Sequence, residues 1–167
     1  MEGSILPKLV VFDLDDTVWY PEMYMLYGGP FRKDNEGRVY DRRGTEVTII
    51  EGARQVLEKL QKDHPEVKIG WASRTNYPEW AYQCLKLFEI NGVSLSELGH
   101  FHEIYPGDKK SHFRCFKKDS GFDFHEMVFF DNENRNCISV RTLGVKCVYT
   151  PNGMTYEAWE KGLKLFQ

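Results

Sequence analysis

Residues 9–17 read LVVFDLDDT, and this stretch says most about the fold of the 167-residue chain. Four consecutive apolar residues that run directly into acidic ones are typical of a strand that is covered on both faces and ends at the edge of a parallel sheet. Comparable apolar runs at residues 67–72, 128–130 and 145–149, and a weaker one at 101–105, predict further strands. The sequence therefore predicts a sheet of buried strands.

Between these runs the apolar residues follow a helical spacing instead. Residues 53–60 and 81–88 each carry an apolar stripe at positions i, i+3, i+4 and i+7. Asn76 is the predicted N-cap of the second helix, with Pro78 in its first turn. Alternating strands and helices predict an α/β fold, a Rossmann-like parallel sheet with helices on both faces. Further helices are predicted at about residues 110–116, 134–142 and 159–166.

Residues 19–50 interrupt this alternation, because they contain several turn signals and no helical stripe. Turn residues precede two short stretches of strand-forming residues there, which is the pattern of a β-hairpin. Long excursions of this kind are often functional. Since about 150 residues per domain is typical, we expect a single domain over residues 1–167 with a small β-hairpin flap at about residues 19–50.

Four aromatic residues of the flap have two interpretations. They can line a pocket beneath the flap, or they can pack the flap onto the domain, and aromatic side chains at such a density more often serve packing. The four are Trp19, Tyr20, Tyr24 and Tyr27.

Composition and charge exclude several classes of protein. Lys and Arg number 22 against 25 Asp and Glu, so the net charge of −3 gives no general attraction to nucleic acid or to anionic membranes. No apolar run approaches the roughly 18 residues of a membrane span, and the N-terminus reaches acidic residues too early for a secretory signal. The four cysteines form no CxxC pair, which predicts reduced, buried thiols in an intracellular protein. We expect a cytoplasmic monomer and leave a nuclear pool open.

Polar side chains follow four of the five predicted strands at the point where each ends. Residues 13–17 follow the first strand, residues 73–75 the second, residues 107–110 the weaker one, and residues 131–133 the next. In a parallel sheet these ends share one edge, where ligands bind. Clustered carboxylates call for a cation, and their hard oxygen atoms suit Mg²⁺. A Ser hydroxyl, a Lys and free backbone N–H groups suit a phosphoryl group, so the site is predicted to carry out metal-assisted phosphoryl chemistry.

The motifs around these residues resemble a known group of enzymes. The DLDDT stretch is similar to the first motif, DxDx(T/V), of the haloacid dehalogenase superfamily phosphatases, and Ser73, Lys109 and Asp131 follow in the order of the other three motifs. More narrowly, VFDLDxTxW, ASRT, EIYPGxK, HF and MVFFDxENRN resemble the eukaryotic magnesium-dependent phosphatases over residues 8–150. The resemblance implies a capless haloacid-dehalogenase fold and Mg²⁺-dependent hydrolysis of phosphomonoesters through an aspartyl-phosphate.

The resemblance also assigns roles to matching residues. Asp13 would be the nucleophile, and Asp15 would be the general acid and then the base that activates water. The implied magnesium ligands are Asp13, Asp15 through its backbone carbonyl, and Asp131. The implied phosphate-binding residues are Leu14, Ser73, Arg74 and Lys109. For Arg74, a purely structural place at the start of the following helix is an equal alternative.

Two positions depart from the family pattern, and alternatives stay open. Where the family has two consecutive acids this sequence has Asp131-Asn132, so we expect weaker metal binding. Asp16 stands where close relatives often have Tyr. The residues do not choose between phosphotyrosine-type and sugar-phosphate substrates, carried by a small molecule or a phosphoprotein. A degenerate member that binds phosphorylated ligands without turnover is the alternative. A receiver domain is disfavoured, because its phosphorylated Asp follows the third strand.

Overall fold

The structure is a computed structural model that describes residues 5–167. The first four residues of the predicted domain, where the stretch begins on which the expectation about a secretory signal rests, lie outside the described residues. The strands are β1 (Leu9–Phe12), β2 (Trp19–Tyr20), β3 (Arg32–Lys33), β4 (Val39–Tyr40), β5 (Glu46–Ile49), β6 (Lys68–Ser73), β7 (Glu89–Ile90), β8 (Val93–Ser94), β9 (Phe101–Ile104), β10 (Met127–Asp131) and β11 (Lys146–Tyr149). The helices are α1 (Glu51–Asp63), α2 (Pro78–Leu87), α3 (Leu95–Leu98), α4 (Lys109–Ser120), α5 (Asn134–Arg141) and α6 (Tyr156–Lys164). No helix within residues 5–167 combines the length and apolarity needed to cross a bilayer.

A five-stranded sheet in the order β11-β10-β1-β6-β9 forms the centre of the fold. Every neighbouring pair in it runs parallel, and β1 lies in the middle, with Phe12 paired to Phe130 on one side and to Trp71 on the other. Because all five strands run the same way, their carboxyl ends share one edge. The predicted parallel α/β sheet is confirmed.

Each face of the sheet is covered by helices, and β1 shows why. Val10 and Phe12 point into an apolar core shared with α1, α2 and α6. Leu9 and Val11 point the other way, into a second core with α4 and α5. Successive side chains of a strand point to opposite faces of the sheet. Because helices cover both faces here, every side chain of β1 is buried, which explains the unbroken apolar run.

The region of α2 and the segment after it differ from prediction in detail. The predicted N-cap at Asn76 is wrong by one residue, since α2 begins at Pro78 and Tyr77 holds the N-cap position without a side-chain cap. The Tyr77 N–H instead donates to Thr75 Oγ1 at 3.1 Å, so a hydroxyl two residues earlier orders the turn. The hairpin β7–β8 and the one-turn helix α3 are unpredicted, because elements of two to four residues are too short to show a period.

Residues 19–50 form the predicted flap, which is larger than one hairpin. Its four strands make an antiparallel sheet in the order β2-β5-β4-β3. The turns before β4 and β5 contain Gly37 and Gly44 with φ of +84° and +88°, a conformation that favours glycine. Val39 and Val47 of the flap belong to the same apolar core as α1. The flap is therefore packed onto the main sheet through its own apolar face.

Candidate active site

The predicted site residues meet at the carboxyl edge of the central sheet. A cavity of about 440 Å³ lies there, and Asp13, Asp15, Ser73, Arg74 and Lys109 all line it. The Leu14 side chain is buried, so only its backbone can face a ligand, and its N–H donates to no protein acceptor within residues 5–167. Asp131 is completely buried behind the cavity wall.

Lys109 is an ammonium buried between two carboxylates. It is 1% exposed, and its Nζ lies 3.1 Å from Asp13 Oδ1 and 2.9 Å from Asp131 Oδ2. Asp108 caps α4 by accepting a hydrogen bond from the Lys110 N–H, and the helix therefore begins with Lys109 inside the site. Burial lowers the pKa of Lys109, but the two carboxylates outweigh burial and raise it. The lysine is therefore charged and available to an anion.

Opposing electrostatic effects act on the Asp13 carboxylate. Burial and the charge of Asp131 raise its pKa well above the ordinary value, and Lys109 opposes that rise. Thr17 donates to Asp13 Oδ2 at 3.2 Å. Because a second cation would stabilise the ionised form further, this carboxylate is suited to binding a divalent metal.

The flap holds the Asp15 carboxylate on both oxygens. Trp19 Nε1 donates to Oδ1 at 2.9 Å, and the Met23 backbone N–H donates to Oδ2 at 3.2 Å. Burial raises the pKa of Asp15, and these two hydrogen bonds partly counteract that effect. Sequence reasoning considered Trp19 as a packing or pocket residue and missed this contact.

Asp131 and Asn132 face different partners. Asp131 Oδ2 accepts from Lys109 and from Asn136 Nδ2 at 3.0 Å, and its Oδ1 accepts from the Glu133 N–H at 2.8 Å. When the Asn132 amide presents its nitrogen, it donates to Asp13 Oδ2 at 2.8 Å and to the Asp15 carbonyl at 3.2 Å. Asn132 is thus the side chain that faces Asp13 and Asp15, two of the three predicted metal ligands. The role of Asp131 as a metal ligand stays a prediction.

Ser73 and Arg74 lie side by side on the cavity wall. Ser73 is buried, and its Oγ accepts from the Thr75 N–H at 3.2 Å. Arg74 Nη1 donates to Asn136 Oδ1 at 3.2 Å, which connects it through Asn136 to Asp131 and Lys109. Asn136 is a positioning residue that the sequence did not single out, although it belongs to the ENRN stretch of the fourth motif.

His112 supports the loop at the end of the cavity. Its two ring nitrogens lie 3.0 Å and 3.1 Å from the carbonyl oxygens of Tyr105 and Asp108, while Pro106 and Gly107 between them line the cavity. Burial, followed by the charge of Lys109, lowers the pKa of His112. His112 is therefore a structural support of this loop.

The flap aromatics follow both interpretations. Trp19 is fully buried, and Tyr27 lies under the Arg43 guanidinium at 4.4 Å, whereas Tyr24 lines the cavity. Tyr20 borders a separate cavity of about 660 Å³, which also contains Asp16 and Asn132.

Two cavity residues, Glu22 and Tyr77, were not singled out in the sequence because nothing local marks them. Glu133, which follows the strand that ends at Asp131, also lines the cavity. Burial and a hydrogen bond with Asp16 raise the pKa of Glu22 to about 7.

A parallel sheet whose first strand ends in two aspartates, beside a Ser, a buried Lys and a further acid, defines a phosphoryl-transfer fold of the haloacid dehalogenase type. A family model described as Acid Phosphatase matches residues 5–167. The chain belongs to this acid phosphatase family within the haloacid dehalogenase superfamily, and the predicted superfamily is confirmed.

Similar proteins agree with that assignment. The chain is 40% identical over 161 residues to human Magnesium-dependent phosphatase 1, covering 96% of this chain and 88% of the relative. It is 37% identical over 145 residues to a HAD-like hydrolase superfamily protein of Schizosaccharomyces pombe, covering 83% of each. The structure of a predicted HAD-like family hydrolase from Porphyromonas gingivalis superimposes with a TM-score of 0.67 at 15% identity, covering 98% of this chain and 100% of that one. These findings agree with the predicted phosphatase class and with magnesium as cofactor.

Proposed function

We propose that this chain is a magnesium-dependent phosphatase that hydrolyses phosphate monoesters through an aspartyl-phosphate on Asp13. The observation that carries the proposal is the buried Lys109 ammonium held between Asp13 and Asp131, on the wall of a cavity that Ser73 and Arg74 also line. Such a cation next to a carboxylate nucleophile offsets the repulsion between that carboxylate and a phosphate dianion. The names of the family and of the human relative support the same activity.

The residues present fit a magnesium ion. Asp13 Oδ2 and the Asp15 carbonyl both lie within hydrogen-bond distance of the Asn132 amide nitrogen. In the opposite orientation the Asn132 oxygen accepts from Thr17 Oγ1 at 3.3 Å and faces those same two oxygens. In that orientation three oxygens would converge, which calls for a cation between them, and hard oxygen ligands are what Mg²⁺ requires. Asp13, Asp15 and Asn132 would therefore hold the ion, with Asp131 behind them.

The chain's own groups can carry both halves of the reaction. Asp13 attacks phosphorus, the bond from phosphorus to the ester oxygen breaks, and that oxygen takes the proton of Asp15. In the second half Asp15 takes a proton from water, whose oxygen attacks phosphorus, so that phosphate leaves and Asp13 is restored. The raised pKa of Asp15 suits a group that must first be protonated. When bound, Mg²⁺ would neutralise charge on the phosphoryl oxygens.

The non-transferring oxygens of the phosphoryl group need donors from several directions. Lys109 and Arg74 supply charged ones, and Ser73 together with the Leu14 N–H supplies neutral ones. A phosphotyrosine-type or sugar-phosphate substrate, free or on a protein, would place its ring at the mouth of the cavity.

Within this proposal the enzyme acts as a cytoplasmic monomer. Buried thiols such as Cys84, whose pKa is raised by burial, suit a reducing compartment.

Hydrolysis of 4-nitrophenyl phosphate tests the proposal. We expect turnover with Mg²⁺, and loss of turnover with EDTA and in Asp13→Asn. The matched control is Asp119→Asn, an exposed acid on α4 that does not line the cavity; we expect this variant to keep its activity. Borohydride reduction of the enzyme during turnover should convert the Asp13 acyl phosphate to homoserine, which mass spectrometry detects.

Asn132 is the one feature that favours the alternative, a phosphate-binding member without turnover. No turnover by the unmodified protein across a magnesium titration, together with measurable binding of inorganic phosphate, would support that alternative. Turnover without homoserine at position 13 would retain the phosphatase and reject the aspartyl-phosphate.

A further inference from the structure

Two exposed tyrosines border the cavity above its charged floor. Tyr24 comes from the flap and is 65% exposed, and Tyr77 precedes α2 and is 38% exposed. Both line the same cavity as Asp13, Ser73 and Lys109. A polar floor with aromatic walls suits a ligand that is anionic at one end and apolar at the other.

Tyr77 is held in place by its neighbours. Its ring stacks on Trp80 with centroids 4.2 Å apart and an angle of 9° between the planes. Its N–H donates to Thr75 Oγ1, and its carbonyl accepts from the Trp80 N–H at 3.1 Å. The backbone of Tyr77 is thus held in place, and because its ring is already stacked, the side chain loses little entropy when a ligand packs on it.

Trp80 in turn is fixed by the flap. Its ring lies 6.5 Å from that of Phe31, centroid to centroid. A Cβ at Gly28 would lie only 2.6 Å from the Trp80 ring, so the flap backbone passes directly over it. Tyr77 and Trp80 therefore form a two-ring platform, with Tyr77 on the cavity side and Trp80 beneath it. The flap packs against Trp80 and so holds the platform in place.

Tyr24 is linked to Asp15 by the turn that contains it. It belongs to the 3-10 turn Met23–Met25, whose Met23 is buried and donates its N–H to Asp15 Oδ2 at 3.2 Å. Asp15 is the residue that would protonate the leaving oxygen. The turn thus ties the position of Tyr24 to the leaving-group end of the reaction.

We propose that the Tyr77–Trp80 platform and Tyr24 bind the leaving group, and that they select phosphate esters of flat rings over esters of short acyclic alcohols. This inference rests on the proposed function and deepens it by naming the residues that determine leaving-group specificity. The platform is preorganised, and packing of one ring on another contributes about threefold to tenfold in affinity.

Kinetics of phenyl phosphate and glycerol phosphate test the inference. Each ester is compared with itself across variants, which cancels the different reactivities of the two leaving groups. We expect Tyr77→Ala to lower kcat/KM for phenyl phosphate about threefold to tenfold, mainly through KM, and to affect glycerol phosphate clearly less. Tyr24→Ala should act in the same direction, and Tyr77→Phe should restore the preference.

A matched control and a binding measurement separate structural effects from specificity. Tyr156→Ala removes a tyrosine of similar exposure, 39%, that does not line the cavity, and should change neither ester. Calorimetry should show that the unmodified protein binds phenylphosphonate more tightly than methylphosphonate and that Tyr77→Ala loses this preference. Equal losses for both esters in Tyr77→Ala would overturn the inference alone. No hydrolysis of either ester by the unmodified protein would contradict the proposed function, and the phosphonate preference would still decide the inference.

Discussion

Asn132 shows how much a single residue can change at this site. Its amide lies against Asp13 Oδ2 and the Asp15 carbonyl, the two oxygens proposed to hold the metal. Its backbone N–H donates a hydrogen bond to Thr17 Oγ1 at 3.1 Å, which fixes the residue where its amide can face these two oxygens. An amide oxygen can coordinate a metal but brings no charge, whereas a carboxylate would bring one.

Replacing Asn132 with Asp should therefore tighten magnesium binding. We expect Asn132→Asp to raise Mg²⁺ affinity at least about tenfold, because one more negative charge would face the ion. Without metal the same variant should unfold at a lower temperature, since its carboxylate would face Asp13. Calorimetric titration with MgCl₂ and thermal unfolding measure the two effects.

The control for Asn132→Asp is Asn35→Asp, which adds the same charge in an exposed turn of the flap. An equal change of magnesium affinity in both variants would show that the net charge of the protein, and not the position of Asn132, decides metal binding.

At the level of elements, the flap does more than cover the site. Trp19 in β2 and Met23 in the following turn hold both oxygens of Asp15, so the flap positions the proposed general acid. The same segment also packs on α2 through Gly28 and Phe31. The flap therefore determines both the position of the proposed general acid, Asp15, and the shape of the cavity mouth.

Trp19→Phe tests the first of these links. The variant removes a hydrogen bond that lowers the pKa of Asp15, so that pKa should rise further above its ordinary value. We expect kcat to fall about tenfold or more and the high-pH limb of the pH–rate profile to move to higher pH. Trp159→Phe, a buried tryptophan on α6, loses a similar volume away from the site. An equal fall in kcat for both variants would contradict a specific role for Trp19.

Gly28→Ala tests the contact between flap and α2. Gly28 has φ of +93° and leaves no room for a Cβ beside Trp80, whereas Gly37 has φ of +84° with nothing within 4 Å of its Cβ position. Backbone strain should cost Gly37→Ala about 1–2 kcal/mol, and overpacking should cost Gly28→Ala a further ~1–3 kcal/mol. Urea denaturation measures the free energy of unfolding, and equal losses in the two variants would show that the contact with Trp80 contributes nothing.

On the scale of the whole molecule, the site couples stability to pH and to metal. Burial raises the pKa of both Asp13 and Asp15, so the folded chain keeps these protons at a pH where the unfolded chain, with ordinary values near 3.8, has lost them. Their contribution to stability is fully present below the ordinary value. It is lost as pH rises through the raised folded values.

Magnesium should compensate for this loss only when the carboxyl groups are ionised. We expect Mg²⁺ to raise the unfolding temperature more at about pH 7.5 than at about pH 5, because protons compete with the ion for Asp13. Differential scanning calorimetry at both pH values measures the effect, and Asp13→Asn should abolish it. A larger rise at the lower pH would contradict the assignment of Asp13 to the metal.

Much of this fold and site follows from local sequence. The apolar run 9–12 predicted the central strand because a strand buried on both faces needs no polar alternation. Asp13, Asp15, Ser73 and Lys109 could be placed together because strand ends of a parallel sheet share an edge. Asn136, His112 and Tyr77 could not be found this way, since each depends on what a distant element brings to it.

The sequence by itself determined the parallel α/β sheet, the edge that carries the chemistry and the residue types gathered there, because these depend on periodicity and on polar residues at strand ends. Only the tertiary structure decided which oxygen each group faces. Lys109 and Asp13 lie 96 positions apart in the chain, yet their atoms are 3.1 Å apart. Such a contact is set by the packing of whole elements, as are the positions of Asn132 against Asp13 and of Tyr77 on Trp80. A distance of this kind has no periodic signature, so no local pattern in the chain can reveal it.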